Sequence, residues 1–220
     1  MKKSNLPLWL LGGTTAGLII WGGSKISSAD LKNAVNIVTG GALDAGAFFL
    51  KYYPYAQQSE AQTNVPALVT LAQAATESGY GKYAFGNNFF GIKAGSAWTG
   101  ATQKLKTWEC GKTGDPSTDN ISDEVIQIFP PGDPNGNASC NSNGSYSYRV
   151  YSIFRAYATP LDSFIDHGNF LVQNKRYAPA FNTTTPADFA LAVAAAGYST
   201  APTYGKMLVN TMLQAQNDLA

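Results

Sequence analysis

Ala72-Gln73-Ala74-Ala75-Thr76-Glu77-Ser78-Gly79-Tyr80-Gly81 closes a segment whose apolar residues keep helical spacing. Leu68, Leu71, Ala72 and Ala75 recur at i, i+3, i+4 and i+7 and define a buried face. Pro66 pre-sets the first turn, and Gly79 supplies the stop. Thr70, Gln73 and Glu77 form a separate polar stripe on the same helix. A helix with one face in a core and a narrow polar stripe ending in Glu suits the floor of a cleft. Partial desolvation there raises a carboxyl pKa and keeps the group protonated, ready to donate. The same pattern also describes a solvated helix-end Glu, the commoner circumstance for such a residue.

Composition narrows the class. A chain of 220 residues can bury a real core without a second domain. A formal net charge of +1 with only 13% charged residues excludes a polyanion-binding surface of the nucleic-acid type. Twelve Tyr and four Trp beside abundant Asn, Ser and Thr suit a carbohydrate instead, because sugar rings stack on aromatic faces and sugar hydroxyls need neutral partners.

The motifs after Gly81 decide between the two readings of Glu77. Asn87-Asn88-Phe89-Phe90-Gly91-Ile92-Lys93-Ala94 is followed by Trp98-Thr99-Gly100 and Thr107-Trp108-Glu109. Phe154-Arg155-Ala156-Tyr157, Asn174-Lys175-Arg176-Tyr177-Ala178 and Ala196-Gly197-Tyr198-Ser199-Thr200 complete the series. From about Phe48 to near the C-terminus this ordered set resembles the peptidoglycan N-acetylglucosaminidases of glycoside hydrolase family 73, a mannosyl-glycoprotein endo-beta-N-acetylglucosaminidase-like group that includes the flagellar muramidase domain.

The resemblance implies a mainly α (α+β) fold: a lysozyme-like helical domain with a small antiparallel β-lobe and a cleft between lobes. It implies hydrolysis of the β-1,4 bond between N-acetylglucosamine and N-acetylmuramic acid in the glycan strands of peptidoglycan, without a cofactor. Glu77 takes the role of general acid, Glu109 matches the family's second acidic residue, and Tyr198 matches a tyrosine implicated beside the catalytic Glu. Glu109 is open between base on a water, assistant to the substrate's own acetamido group, and a solvated strand-end residue. Gln73, Asn88, Phe90, Trp98, Tyr177 and Tyr204 are candidate substrate contacts, with Phe90 and Tyr177 equally readable as core. The family often carries Asp before the Pro of its last motif, where this chain has Ala201 before Pro202. A lytic transglycosylase or muramidase on the same fold is the nearest alternative, and a non-catalytic wall-binding or virion structural protein the alternative from another class.

Local patterns agree with the implied architecture. Leu161, Phe164, Ile165 and Gly168 mark one face of a helix starting after Thr159-Pro160, opposite Asp162, Asp166, Asn169 and Gln173. His167, the only histidine, falls at an exposed or boundary position of that helix and is read as structural. Pro186 to Ala196 is Ala-rich, and a last helix from about Pro202 sets Leu208 and Met212 on one side. Residues 104–109, 124–129 and 146–154 are β-rich and separated by Gly, Pro, Asn and Asp turns. Cys110 and Cys140 bracket a turn-rich insertion, 110–145, that compact relatives lack, and a disulfide between them is expected. Two Cys and one distant His make a zinc site improbable, and the calcium-like spacing of Asp133, Asn135 and Asn137 lacks its Gly and closing Glu, so no metal is assigned.

Leu6 to Gly23 holds 18 residues without a charge, between Lys2-Lys3 and Lys25. As a helix it would rise roughly 27 Å, enough for a bilayer core. The segment reads as a transmembrane anchor or as a signal peptide with a cleavage site at Ser27-Ser28-Ala29, and retention is the expectation. The domain plan is an anchor at 1–23 in contact with the lipid bilayer, a linker at 24–47 and the catalytic domain at 48–220. The catalytic domain is then extracytoplasmic and membrane-anchored, or carried on the membrane of a membrane-containing phage virion, with secretion after cleavage as the alternative.

Overall fold

Asp44 accepts a hydrogen bond from the Ala47 backbone N–H at 2.8 Å and so caps helix α1 (Ala45–Thr63). The structure is a computed structural model that describes residues 43–220. The expected anchor at 6–23 and most of the expected linker lie outside the described residues. Among those that are described, no helix is long and apolar enough to cross a membrane. The cap begins α1 a few residues inside the stretch read as linker.

The chain divides into two units: residues 92–155, and residues 43–91 together with 156–220. The second is helical. Asn64 in the left-handed conformation ends α1, and Pro66 leads into α2 (Ala67–Ser78). Gly79 closes α2 at φ +57, a conformation that costs glycine nothing, and its N–H returns to the Ala75 carbonyl. Three further helices follow: α4 (Pro160–Gln173), α5 (Pro186–Ala195) and α6 (Tyr204–Leu219), with a 3-10 stretch at Lys175–Asn182. Thr159 and Asp162 form a capping box on α4, which starts where Thr159-Pro160 predicts, and Thr185 caps α5 ahead of Pro186.

Helix α2 packs against α1, α4, α5 and α6. The expected single buried face is therefore corrected. Thr70 and Gln73 are as fully enclosed as Leu71 and Ala72, while Leu68 is only half-buried. Ala72, Ala74 and Ala75 are small enough to let neighbours approach around the whole circumference. His167 needs the same correction, being wholly buried. The core face of α4 comprises Ser163, Phe164, His167, Gly168 and Leu171, with Leu161 and Ile165 at its half-buried margin. Gly168 permits that rotation, since a Cβ there would stand 2.5 Å from Thr63 Oγ1 on α1. Across the same seam the Ser59 hydroxyl donates to the Phe164 carbonyl at 2.8 Å.

The other unit is built on one antiparallel sheet of order β1-β3-β2, from β1 (Thr102–Gly111), β2 (Glu124–Phe129) and β3 (Tyr146–Arg155). The three β-rich stretches read from sequence are these strands. Tyr148, Val150, Ser152 and Phe154 alternate on the buried face of β3. The insertion carries β2 and the short helix α3 (Ala138–Ser142), capped by Asn137. Asp133 accepts from Asn135, so the residues with calcium-like spacing serve a turn and a cap. A Cys110–Cys140 disulfide joins β1 to α3, with Cα atoms 5.3 Å apart. Asp119 pins the preceding loop by accepting from the Lys112, Thr113 and Gly114 backbone N–H groups and from the Tyr148 hydroxyl. Desolvation raises its carboxyl most of any single cause, but those donors together outweigh it and hold the group down to about 2.

Replacing both cysteines by serine reopens a loop with a sequence separation of 30. The loss expected from chain entropy is about 3 to 4 kcal/mol. It will be read as a lower denaturant midpoint, matched by the parent after reduction; an unchanged midpoint would show that the turns around Asp119 hold the insertion unaided.

Candidate active site

Glu77 stands in the last turn of α2, where Gly79 turns the chain away. Its residue exposure is 7%, and the cage is aromatic. Tyr204, from the first turn of α6, donates its hydroxyl to Glu77 Oε1 at 3.0 Å, and Gln73 Nε2, one turn back on α2, donates to that hydroxyl at 3.1 Å. Burial removes water from the carboxylate, while the Tyr204 hydrogen bond favours the ionised form. Burial is the larger effect, and the pKa is pushed up from 4.5 to about 8. At neutral pH the group carries its proton.

Tyr198 lies beside this cage, its ring stacked on Tyr204 with centroids 5.6 Å apart. Its hydroxyl contacts His167 Nε2 at 3.2 Å and makes no hydrogen bond to Glu77. His167 in turn lies flat against Phe90, at 3.9 Å and 8°. Desolvation takes the imidazole down to about 3, so it is neutral and holds Tyr198 by hydrogen bonding alone. Tyr198's own pKa is raised well above 10, by burial first and then by the charge that Glu77 can carry.

The candidate substrate contacts divide by burial. Gln73, Phe90, Tyr177 and Tyr204 are interior, at 0 or 1% exposure, and Asn88 is buried at 4%. Phe90 and Tyr177 sit as core, the second of their two readings: Gln73 and Tyr204 support Glu77, Phe90 stacks on His167, and Tyr177 packs on Tyr198. Trp98 is half-buried in the other unit, where its indole N–H donates to the Ala101 carbonyl and Arg155 covers the ring at 4.5 Å. Thr70 Oγ1, Gln73 Oε1 and His167 Nδ1 are buried without a hydrogen-bond partner among the described residues.

Glu109 belongs to the β unit, opposite Tyr148 in the register. Lys93 Nζ contacts its Oε1 at 2.5 Å and Asp123 Oδ2 at 2.7 Å, with all three side chains less than one-fifth exposed. Burial opposes the Lys93 charge, but the two carboxylates outweigh it and raise its pKa, so the ammonium persists. Burial pushes Glu109 up against the pull of that ammonium. The two glutamates thus differ in kind: Glu77 has a hydroxyl donor and no cation, Glu109 a cation in direct contact. Lys93 sat inside a quoted motif without a role, and Asp123 had no signal, because the contact joins residues 30 apart through the sheet fold. No group of three or more His, Cys, Asp or Glu among the described residues is arranged to hold a metal ion.

Residues 53–217 match the Glucosaminidase family model, described as mannosyl-glycoprotein endo-beta-N-acetylglucosaminidase. Peptidoglycan hydrolase FlgJ of Escherichia coli (strain K12) is 28% identical over 181 residues, covering 79% of this chain and 48% of that protein. FlgJ of Pseudomonas aeruginosa is 26% identical over 213 residues, covering 93% and 44%. The chain thus spans about half the length of the curated relatives it matches. Of solved structures, the glycoside hydrolase domain of Salmonella typhimurium FlgJ aligns with a TM-score of 0.56 and 25% identity, over 80% of this chain and 90% of that one. A peptidoglycan hydrolase mutant from Sphingomonas sp. A1 aligns at 0.57 and 27%, over 79% and 97%.

Because the folded pKa of Glu77 lies above its ordinary value, stability is full below about pH 4.5 and is lost as pH rises toward about 8. At pH 7 that loss is about 3 kcal/mol. Glu77→Gln removes it, so the variant's denaturant midpoint will exceed the parent's at neutral pH, with the gap closing toward pH 4.5; a constant gap would show that Glu77 titrates normally. Tyr204→Phe deletes the one donor that favours the carboxylate, and the Glu77 carboxyl band in infrared titration will move to higher pH by up to about one unit.

Proposed function

We propose that this chain, which belongs to the Glucosaminidase family and is a glycoside hydrolase, cleaves the β-1,4 bond between N-acetylglucosamine and N-acetylmuramic acid in peptidoglycan. The observation that carries the proposal is the buried Glu77 at the end of α2, hydrogen-bonded by a Tyr204 hydroxyl that Gln73 in turn holds, where burial pushes the carboxyl up to about 8. The names of the relatives, peptidoglycan hydrolases over the same span, supply the substrate class.

Glycosidic cleavage needs a proton on the departing oxygen as the bond breaks. Glu77 arrives with that proton because its site disfavours the anion, and the same bias makes transfer to an alkoxide favourable. After transfer, the Tyr204 hydroxyl donates to the new carboxylate. Glu109, fixed by Lys93, is the anionic partner: it activates a water, or it assists attack by the substrate's own acetamido group. Tyr198 serves as the hydroxyl that orients the attacking group, with His167 setting its position. The segment 6–23 anchors the chain in a bilayer with the hydrolase unit extracytoplasmic, in the cell or on a virion membrane. The disulfide agrees with an oxidising compartment of that kind.

Mass spectrometry of fragments released from purified peptidoglycan will find new reducing N-acetylglucosamine ends; anhydro-muramic acid ends would establish a lytic transglycosylase instead. Glu77→Gln will fold and lose roughly 10² to 10⁴ in rate. Parent kcat/KM will fall as pH rises through about 8, where Glu77 gives up its proton. Glu109→Gln will lose a comparable factor if Glu109 activates water, and less if the acetamido group attacks.

A further inference from the structure

The sheet of the β unit has a second face that the proposed chemistry does not use. Glu109 lies opposite Tyr148, on the face that β3 buries. The residues between point the other way. Along that outer face Trp108 pairs with Arg149, Lys106 with Tyr151, and Lys104 with Ile153. Cations lie over the rings: Arg149 is 4.6 Å from the Trp108 centroid, and Lys104 and Lys106 are 4.9 and 5.5 Å from that of Tyr151. Ile153 is 43% exposed beside them, an apolar side chain with no cover.

The charge on this face is one-sided. Only Lys104 has an acidic partner, Glu124, and that pair is about half exposed. Among the described residues neither Lys106 nor Arg149 has a carboxylate partner. A chain with a net charge of +1 has therefore gathered unpaired positive charge on one strip. An arginine held over an indole spends no N–H group on the ring face, and its planar fork matches the two oxygens of a carboxylate. Lys106 is the diagonal neighbour of Arg149, so the two cations spring from positions roughly 7 to 8 Å apart.

We propose that this outer face docks the acidic stem peptides carried by peptidoglycan glycan strands, apart from the site that cuts the sugar. Resting on the peptidoglycan reading, the assignment names the part of the substrate that the Glu77 site leaves unrecognised. Arg149 and Lys106 take carboxylates, while Tyr151 and Ile153 cover the aliphatic part of the peptide. The strip then holds the hydrolase on intact, peptide-bearing wall and does nothing for bare glycan.

The test uses the full chain carrying Glu77→Gln, so that binding is measured without cutting. Adding Lys106→Gln and Arg149→Gln will weaken binding to purified sacculi roughly 10-fold and flatten its salt dependence. On glycan strands stripped of peptide by an amidase, the two proteins will bind alike. With Glu77 intact, the double variant will cut stripped strands at the parent rate, which also shows that it folds. Equal binding to sacculi, or an equal loss on stripped strands, would overturn the assignment. So would displacement of the parent from sacculi by a phosphate-rich wall polymer but not by free stem peptide. A parent that binds sacculi through this face and releases no fragments would sink the hydrolase reading and leave this one standing.

Discussion

A carboxyl group enclosed at the end of a helix that is itself enclosed is the constraint on which the helical unit depends. Desolvating a carboxylate is expensive, and the group escapes the cost by keeping its proton. The unit is arranged to maintain that state. Small residues on α2 let α1, α4, α5 and α6 close around it, and Gly79 turns the chain away beyond Glu77. Tyr204 and Gln73 then supply hydrogen bonding that orients the carboxyl without a positive charge that would ionise it. Stability at neutral pH is given up to keep a carboxyl enclosed where its anion is disfavoured.

The aromatic layer around Glu77 extends that logic. Tyr204, Tyr198, His167 and Phe90 form a continuous series of ring contacts from α6 to α4 and the stretch that follows α2. Each ring is fixed by its neighbour, so the Tyr198 hydroxyl is positioned by a histidine too deeply buried to be charged. Charge on that imidazole would place a cation next to the Glu77 cage and draw its proton off; burial prevents it. In the β unit the opposite choice is made. Lys93 is placed against Glu109 and Asp123, and its ammonium pulls against the burial that pushes Glu109 up. Two glutamates thus meet opposite surroundings, one beside a hydroxyl donor and the other beside a cation.

Much of this was legible in the chain itself, and the reason is local. Pro66 and Gly79, the Thr159-Pro160 start and the alternating β-rich stretches are signals carried by neighbouring residues, and the helices and strands follow them. Cys110 and Cys140 bracket one insertion, so their pairing needed only proximity along the chain. Spaced motifs marked Glu77, Glu109 and Tyr198. Leu208 and Met212 of the last helix are inside as their spacing predicts, and what failed was the placing of polar residues on two helices. His167 looks like a boundary residue on the spacing of α4, and Gln73 and Thr70 look like a cleft-facing stripe on that of α2.

Those failures share a cause. Periodicity along one helix registers a single buried direction, whereas α2 is covered from several, and which polar side chains become interior depends on partners more than a hundred residues away, as Gln73 and Glu77 depend on Tyr204. The same holds for Lys93, whose two carboxylates are brought to it by the turn and register of the sheet. The amino-acid sequence by itself determined the elements and the disulfide, because each is written in nearby residues. Only the tertiary structure decided the protonation of the acidic residues and their hydrogen-bond partners, because desolvation and charge pairing are properties of three-dimensional surroundings that no local pattern encodes.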